Sequence, residues 1–557
     1  THVFYERLRQ SYENVKRYDA AIALVETQIE RTANPELFMV EKARLLYLKG
    51  DETTARATWQ SAVDRNPRAP GTYLMVYRSL LDVRLFDLAI DILEQGRDNI
   101  GARGLFQTDL AQLYSLTGLH GKAMDEYLGL LAVNQAQLSF VRSRLSEHMN
   151  GEEALRESIA RARQAVATDP LNRSYRELLA WLYVEDGQFR SALDVYRAVD
   201  RLEKEEGRVL YAFAQVAADG AAYDVALEAY DEILNRYPDA QIAPDALRGL
   251  GLMQEKWAMT LGEQPVDSPG RDTLRTHFHD ALETYQRFLI EYPRHPHFPD
   301  VLRRIGRLQQ DVFHNYDEAE AVLAEVIGRY PSTDAANEAA FDMGRLAIME
   351  NRIGDARIRF SRLLTRLRTG ELADRARYEL ALLHFYTGQF DVALGQTAAM
   401  QENTSTDVAN DAIELKVLII ENRGPDSLDT PLTRFARARL VERQRDHEEA
   451  LHLINDFLSD HGEHPLVDDA RFMRAGLEAR LGRYADAVQT YLEIPLMHPQ
   501  TFLGDRSIFR AAMVTADRIG DTTRAAELLE RVLTEYPGSL LLDDARTEMR
   551  RLRGEEV

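Results

Sequence analysis

The amino-acid sequence predicts an all-α solenoid of about 14 helix-turn-helix units closed by a C-terminal capping helix, and three observations predict it. Alanine recurs at Ala21, Ala55, Ala89 and Ala123, with 34 residues between one and the next. A second small residue stands twelve positions earlier in many units, as at Ala43, Ala111, Ala180 and Ala214. Every strong periodicity is helical, and no alternating strand pattern with hairpin turns interrupts it.

Along the chain the register continues through Ser158, Ala192, Ala226, Ala281, Ala319, Ala356, Ala393, Ala450, Ala487 and Ala525. The earlier small position continues through Gly251, Gly306, Gly344, Ala381, Ala475 and Ala512. Two small residues per unit imply two helices in close contact, because a larger side chain at the crossing would hold the backbones apart. Arg9 and Tyr77 depart from this pattern in the first and third units. Aromatic residues flank the second-helix alanine, as Phe189 and Tyr196 or Tyr223 and Tyr230, and are expected to fill space around the crossing. Proline closes many units, at Pro67, Pro170, Pro238, Pro293, Pro331, Pro499 and Pro537, since it cannot continue a helix. Glycine marks the turn between paired helices at Gly50, Gly118, Gly187, Gly388 and Gly482.

This pattern resembles the tetratricopeptide repeat, a 34-residue helix-turn-helix with two small positions and a terminal proline. The resemblance covers nearly the whole chain. It implies a right-handed superhelix whose first helices line a concave groove, and it says little about function, because the family serves as scaffolding in many settings.

Up to about Pro238 the period is 34 or 35, and afterwards 37 or 38, which divides the chain into an array over 1–238 and one of longer repeats over 239–557. The longer units share a Tyr-Pro signature, seen in RYPSTDAANEAAFDMG at 329–344 and EYPGSLLLDDARTEM at 535–549. That style is similar to tetratricopeptide proteins of the bacterial cell envelope, so a periplasmic or envelope location is expected, with a cytoplasmic adaptor or regulator as the alternative. Two insertions break the count. One, near 262–273, contains GEQPVDSPGRD and reads as a loop. The other, near 422–445, carries PLTRFARARLVERQR, read as an additional arginine-bearing helix that is either a solvated face or a docking surface for an acidic partner. The segment 544–554 reads as the cap.

Formal net charge is −22, which argues against nucleic-acid binding. No apolar run approaches the roughly 18 residues of a membrane span, and any leader or lipid anchor would lie outside these residues. There are no cysteines, so disulfides and cysteine chemistry are excluded. Only seven of the 68 basic residues are lysines, from coding bias or from a demand for guanidinium geometry.

Catalytic and metal motifs are lacking. His447 and His452 are five apart, where the metalloprotease helix needs four, and the histidine pairs at 277/279, 295/297 and 461/464 read as surface residues in or near loops. Neither cofactor nor enzymatic activity is expected. The expected partners are protein or peptide segments. Their candidate contacts on the first helices are Arg44, Tyr47, Arg78, Gln112, Trp181, Tyr211, Gln215, Arg307, Phe341, Arg345, Tyr378 and Phe385. Arg44 and Arg78, 34 apart, are expected either to form a guanidinium row for an acidic or C-terminal peptide or to brace adjacent units.

Overall fold

The computed structural model describes residues 2–148, 151–263, 273–400, 407–423 and 429–554, and every regular element among them is helical. The chain divides into two compact units, Thr1–Ala243 and Pro244–Val557.

The first unit is seven helical hairpins: α1 (His2–Asn14) with α2 (Tyr18–Arg31), α3 (Glu36–Lys49) with α4 (Glu52–Arg65), α5 (Pro70–Asp82) with α6 (Phe86–Ile100), α7 (Gln107–Leu116) with α8 (His120–Val133), α9 (Leu138–His148) with α10 (Glu152–Thr168), α11 (Arg173–Glu185) with α12 (Phe189–Glu203), and α13 (Arg208–Asp219) with α14 (Tyr223–Arg236).

The second unit continues with α15 (Ala243–Glu263) and α16 (Leu274–Glu291), α17 (Phe298–Leu308) and α18 (Tyr316–Arg329), α19 (Asp334–Met349) and α20 (Ile353–Arg366), and α21 (Glu371–Tyr386) and α22 (Phe390–Met400). A single helix, α23 (Asp407–Asn422), follows. Then come α24 (Thr430–Arg443) with α25 (His447–Asp460), α26 (Val467–Arg480) with α27 (Tyr484–Met497), α28 (Gly504–Val514) with α29 (Thr522–Glu535), and the terminal α30 (Leu542–Arg553). The described helices therefore make 14 hairpins, one single helix and a cap.

The small positions do what their spacing implies. All fourteen second-helix positions, from Ala21 to Ala525, are buried, Ser158 among them with its hydroxyl donating to the Ala154 carbonyl at 2.8 Å. At the glycines a side chain has no room: a Cβ at Gly251 would lie 2.4 Å from Tyr285 Cε1, and one at Gly344 2.5 Å from Phe360 Cζ. Turn glycines 50, 118, 187, 388 and 482 all take positive φ, the left-handed geometry that ends a helix. Helices stop two residues before Pro67, Pro170, Pro238, Pro293, Pro331, Pro499 and Pro537. Pro495 lies inside the last turn of α27, where a missing N–H costs one helical bond.

Two expectations need correction. The segment 431–445 is not an additional helix: α24 is the first helix of an ordinary hairpin with α25, and Ala438, twelve residues before Ala450, is fully buried as its small position. The additional helix is α23. The histidines of the pair 277/279 are helical, in α16, and serve packing, His277 stacking on Trp257 at 3.9 Å and His279 lying 4.7 Å from Phe313. The longer spacing between Ala226 and Ala281 comes from a 21-residue α15 and an 18-residue α16; the expected loop between them, 264–272, lies outside the described residues.

Candidate functional site

Several first helices of successive hairpins touch directly, α3 with α5, α17 with α19 and α21 with α24, and so share a face there. Arginines and carboxylates knit that face together. Arg44 reaches back to Glu13 with two bonds of 2.7 Å, and Arg9 reaches forward to Glu41 at 2.5 Å. The Glu13 carboxyl is lowered from its ordinary range, first by the hydrogen bond from Arg44. In the second unit Arg303 holds Asp342 at 2.8 Å and Glu338 at 3.1 Å, Arg304 holds Glu255 at 3.0 Å, and Arg480 holds Glu442 at 2.7 Å. Arg307 and Arg345 converge on Asp311 at 3.9 and 3.7 Å. Arg44 is thus an inter-repeat brace, not one end of a free guanidinium row. Arg78 is exposed, and its charge is felt by the Asp109 carboxyl.

The other candidates divide by burial. Gln112 and Gln215 are exposed, Gln215 donating to the Tyr211 hydroxyl at 3.2 Å. Tyr47 is half-buried against Trp59, with ring centroids 6.2 Å apart, and Tyr211 packs likewise on Tyr230. Trp181 is half-buried, with Arg142 poised 6.0 Å over its ring. Phe341 belongs to the core, 5.4 Å from Phe360 and covered by Arg375, and cannot meet a ligand without repacking.

Tyr378 and Phe385 come together in a different place. They border a cleft of about 590 Å3, within the usual range of binding clefts, about 300 to 1,000 Å3. One wall is α21, with Tyr378, Leu382 and Phe385; the opposite wall is the single helix α23, with Ile413, Val417 and Leu418. The starts of α26 and α28 complete the lining with Asp468 and Asp469, and with Phe502 and Leu503. An ion pair between Arg506 and Glu414 at 3.5 Å links the start of α28 to α23 across 92 residues. Phe502 is 94% exposed at the lip, an aromatic ring left in water. Burial first, then Asp411 and Tyr386, push the Tyr378 hydroxyl well above its ordinary range. The cleft exists because α23 is inserted between hairpins, and its residues escaped the repeat count for the same reason. The pattern DVANDAIELKVLII at 407–420 is the signal that could have revealed it.

Among the described residues no helix is long and apolar enough to cross a membrane, and no group of three or more histidines and carboxylates could hold a metal ion.

Two tetratricopeptide-repeat family models match the chain, one over residues 435–499 and one over 506–539. Those segments are the hairpins α24/α25, α26/α27 and α28/α29, which are tetratricopeptide repeats, and the earlier hairpins repeat their construction. No curated protein matches it. Similar solved structures include a tetratricopeptide repeat protein from Parabacteroides merdae ATCC 43184, 13% identical over 54% of this chain and 97% of that one, with a TM-score of 0.31. Yeast Tom70 is 14% identical over 89% of this chain and 99% of its own, with a TM-score of 0.28. The Naa15/Naa10 complex bound to HypK-THB gives 13% identity over 99% of this chain and 96% of that chain, at 0.26. Superpositions this loose carry no further argument about the chain.

Proposed function

We propose that this protein is a non-catalytic scaffold that holds a segment of a partner protein, and that the cleft between α21, α23 and the starts of α26 and α28 is where it holds it. The carrying observation is the preformed cleft itself. It combines an aromatic and aliphatic wall with a rim of charges, the composition of a recognition site. Phe502 at its lip has the position of an anchor awaiting contact. A setting in a bacterial cell envelope is the finer proposal. It is supported by the Tyr-Pro closing signature of the second unit, in which Thr333 caps α19 and its hydroxyl donates to the Tyr330 carbonyl at 2.8 Å. Fractionation of the native cells tests it, a cytoplasmic pool being the opposing result.

Site-specific photo-crosslinking tests the scaffold reading. A benzophenone residue in place of Phe502 should give a discrete protein adduct in native cells, while the same residue in place of the equally exposed Leu540 should not. Equal labelling at both positions, or none at Phe502, would remove the cleft as the binding site.

A further inference from the structure

We propose that the segment held in this cleft is cationic, a stretch of partner chain carrying lysine or arginine among apolar residues. The inference rests on the scaffold reading and adds the partner's charge. Three carboxylates face the cleft from α23, Asp411, Glu414 and Glu421, at spacings that set them on one side of the helix. Two more, Asp468 and Asp469, come from the first turn of α26. Against these five stand two arginines, and both have partners. Arg506 is paired with Glu414 at 3.5 Å, and Arg439 lies 3.7 Å from Glu442 with its guanidinium over the Phe435 ring. Asp468 accepts a hydrogen bond from the Thr501 hydroxyl, whereas Asp469 has no ion pair or hydrogen-bonding side chain among the described residues.

The resulting cleft is short of positive charge. The start of α26 lends both aspartates the partial positive charge of a helix N-terminus. Even so, burial first, and then Asp468 and Glu421, with Arg439 opposing them, push the Asp469 carboxyl up to about 6. A guanidinium or ammonium group arriving from a partner would supply the missing charge and hydrogen bonds, which an acidic segment could not do. The walls suit the rest of such a side chain. Leu382, Val417 and Phe502 can cover its aliphatic stem, and Tyr378 supplies an aromatic ring to the same lining.

Fluorescence anisotropy on the full chain tests the charge directly, at about 150 mM salt so that long-range attraction is screened. The probes are a labelled peptide of alternating lysine and leucine and its glutamate counterpart. The lysine peptide should bind saturably and the glutamate peptide should not. Asp468→Asn combined with Asp469→Asn should weaken the lysine peptide by about tenfold or more. Glu421→Lys, at an exposed position where folding is not at stake, should weaken it in the same direction. Asp87→Asn with Asp91→Asn, two exposed carboxylates of α6, should leave it unchanged. Equal loss in both aspartate pairs would show attraction to the acidic surface at large and overturn the proposal, as would failure of the lysine peptide to bind or indifference to the cleft variants. A protein adduct at the Phe502 position together with a failed lysine peptide would leave the scaffold standing and remove only the charge assignment. Absence of both would remove the two together.

Discussion

At Gly344 the absence of a side chain is a packing requirement. Phe360 is fully buried, and its ring tip lies 2.5 Å from where a Cβ would sit. Gly344→Ala would gain helix propensity of about 1 kcal/mol, but overpacking against a ring with nowhere to go costs about 1 to 3 kcal/mol. The expected net effect is a loss of about 1 kcal/mol in urea denaturation, and a stabilised variant would show that Phe360 yields. Asp469 makes a second prediction at this scale, with its sign set by the direction of its shift. Its folded pKa, about 6, is above the unfolded value of about 3.9, so its contribution to stability is full below the unfolded value and is lost as pH rises through 6. Asp469→Asn should therefore gain on the native protein between about pH 4 and pH 6 and run parallel to it above. A denaturation series showing the opposite slope would mean that an unseen cation already pairs with the carboxylate.

At the scale of helices, legibility in the sequence followed locality. The crossing alanines, the closing prolines and the glycines at left-handed turns all act within one hairpin, so a single period reveals them, and the fourteen hairpins and the cap were readable from that. Ala438, buried twelve residues before Ala450, belongs to the same pattern. Side chains whose meaning depends on a distant partner were not readable. Arg44 is a brace because Glu13 waits 31 residues away, and Arg443 because Glu379 lies 64 residues away. Neither separation is a multiple of the repeat that a periodicity would expose. Helix α23 stayed hidden for a related reason: among the described helices before the cap, it alone belongs to no hairpin. Of the candidate contacts, Tyr378 and Phe385 border the cleft, yet the acidic rim that gives it character comes from α23 and from the start of α26, which no repeat position marks.

For the second unit as a whole, the ties at the end of α24 set how it unfolds. A repeat stack whose members touch only their neighbours opens piecemeal, because each hairpin's stability is a local sum. The α24/α25 turn breaks that rule by reaching back over three hairpins at once. Arg443 holds the Glu379 carboxylate of α21 with two 2.7 Å contacts, Gln444 donates to the Ile348 carbonyl and to Asn351 at 3.0 Å, and Arg445, in left-handed geometry, meets the Asp311 carbonyl at 3.1 Å and the His314 ring at 2.8 Å. These side chains make α17 to α25 a candidate for one cooperative block within a structure otherwise built by stacking. Native-state hydrogen exchange read by mass spectrometry should show the amides of α17 to α25 opening together. Removing the part-buried guanidinium with Arg443→Ala leaves the buried Glu379 without its partner, a change that typically costs about 3 kcal/mol or more. The variant should lower protection across the block and let α17 and α18 open ahead of α24 and α25, while α3 to α8, in the other unit, keep their rates. If instead the native protein already exchanges hairpin by hairpin and Arg443→Ala alters only α21 and α24, the long-range contacts do not couple the hairpins, and the unit behaves as a nearest-neighbour array throughout.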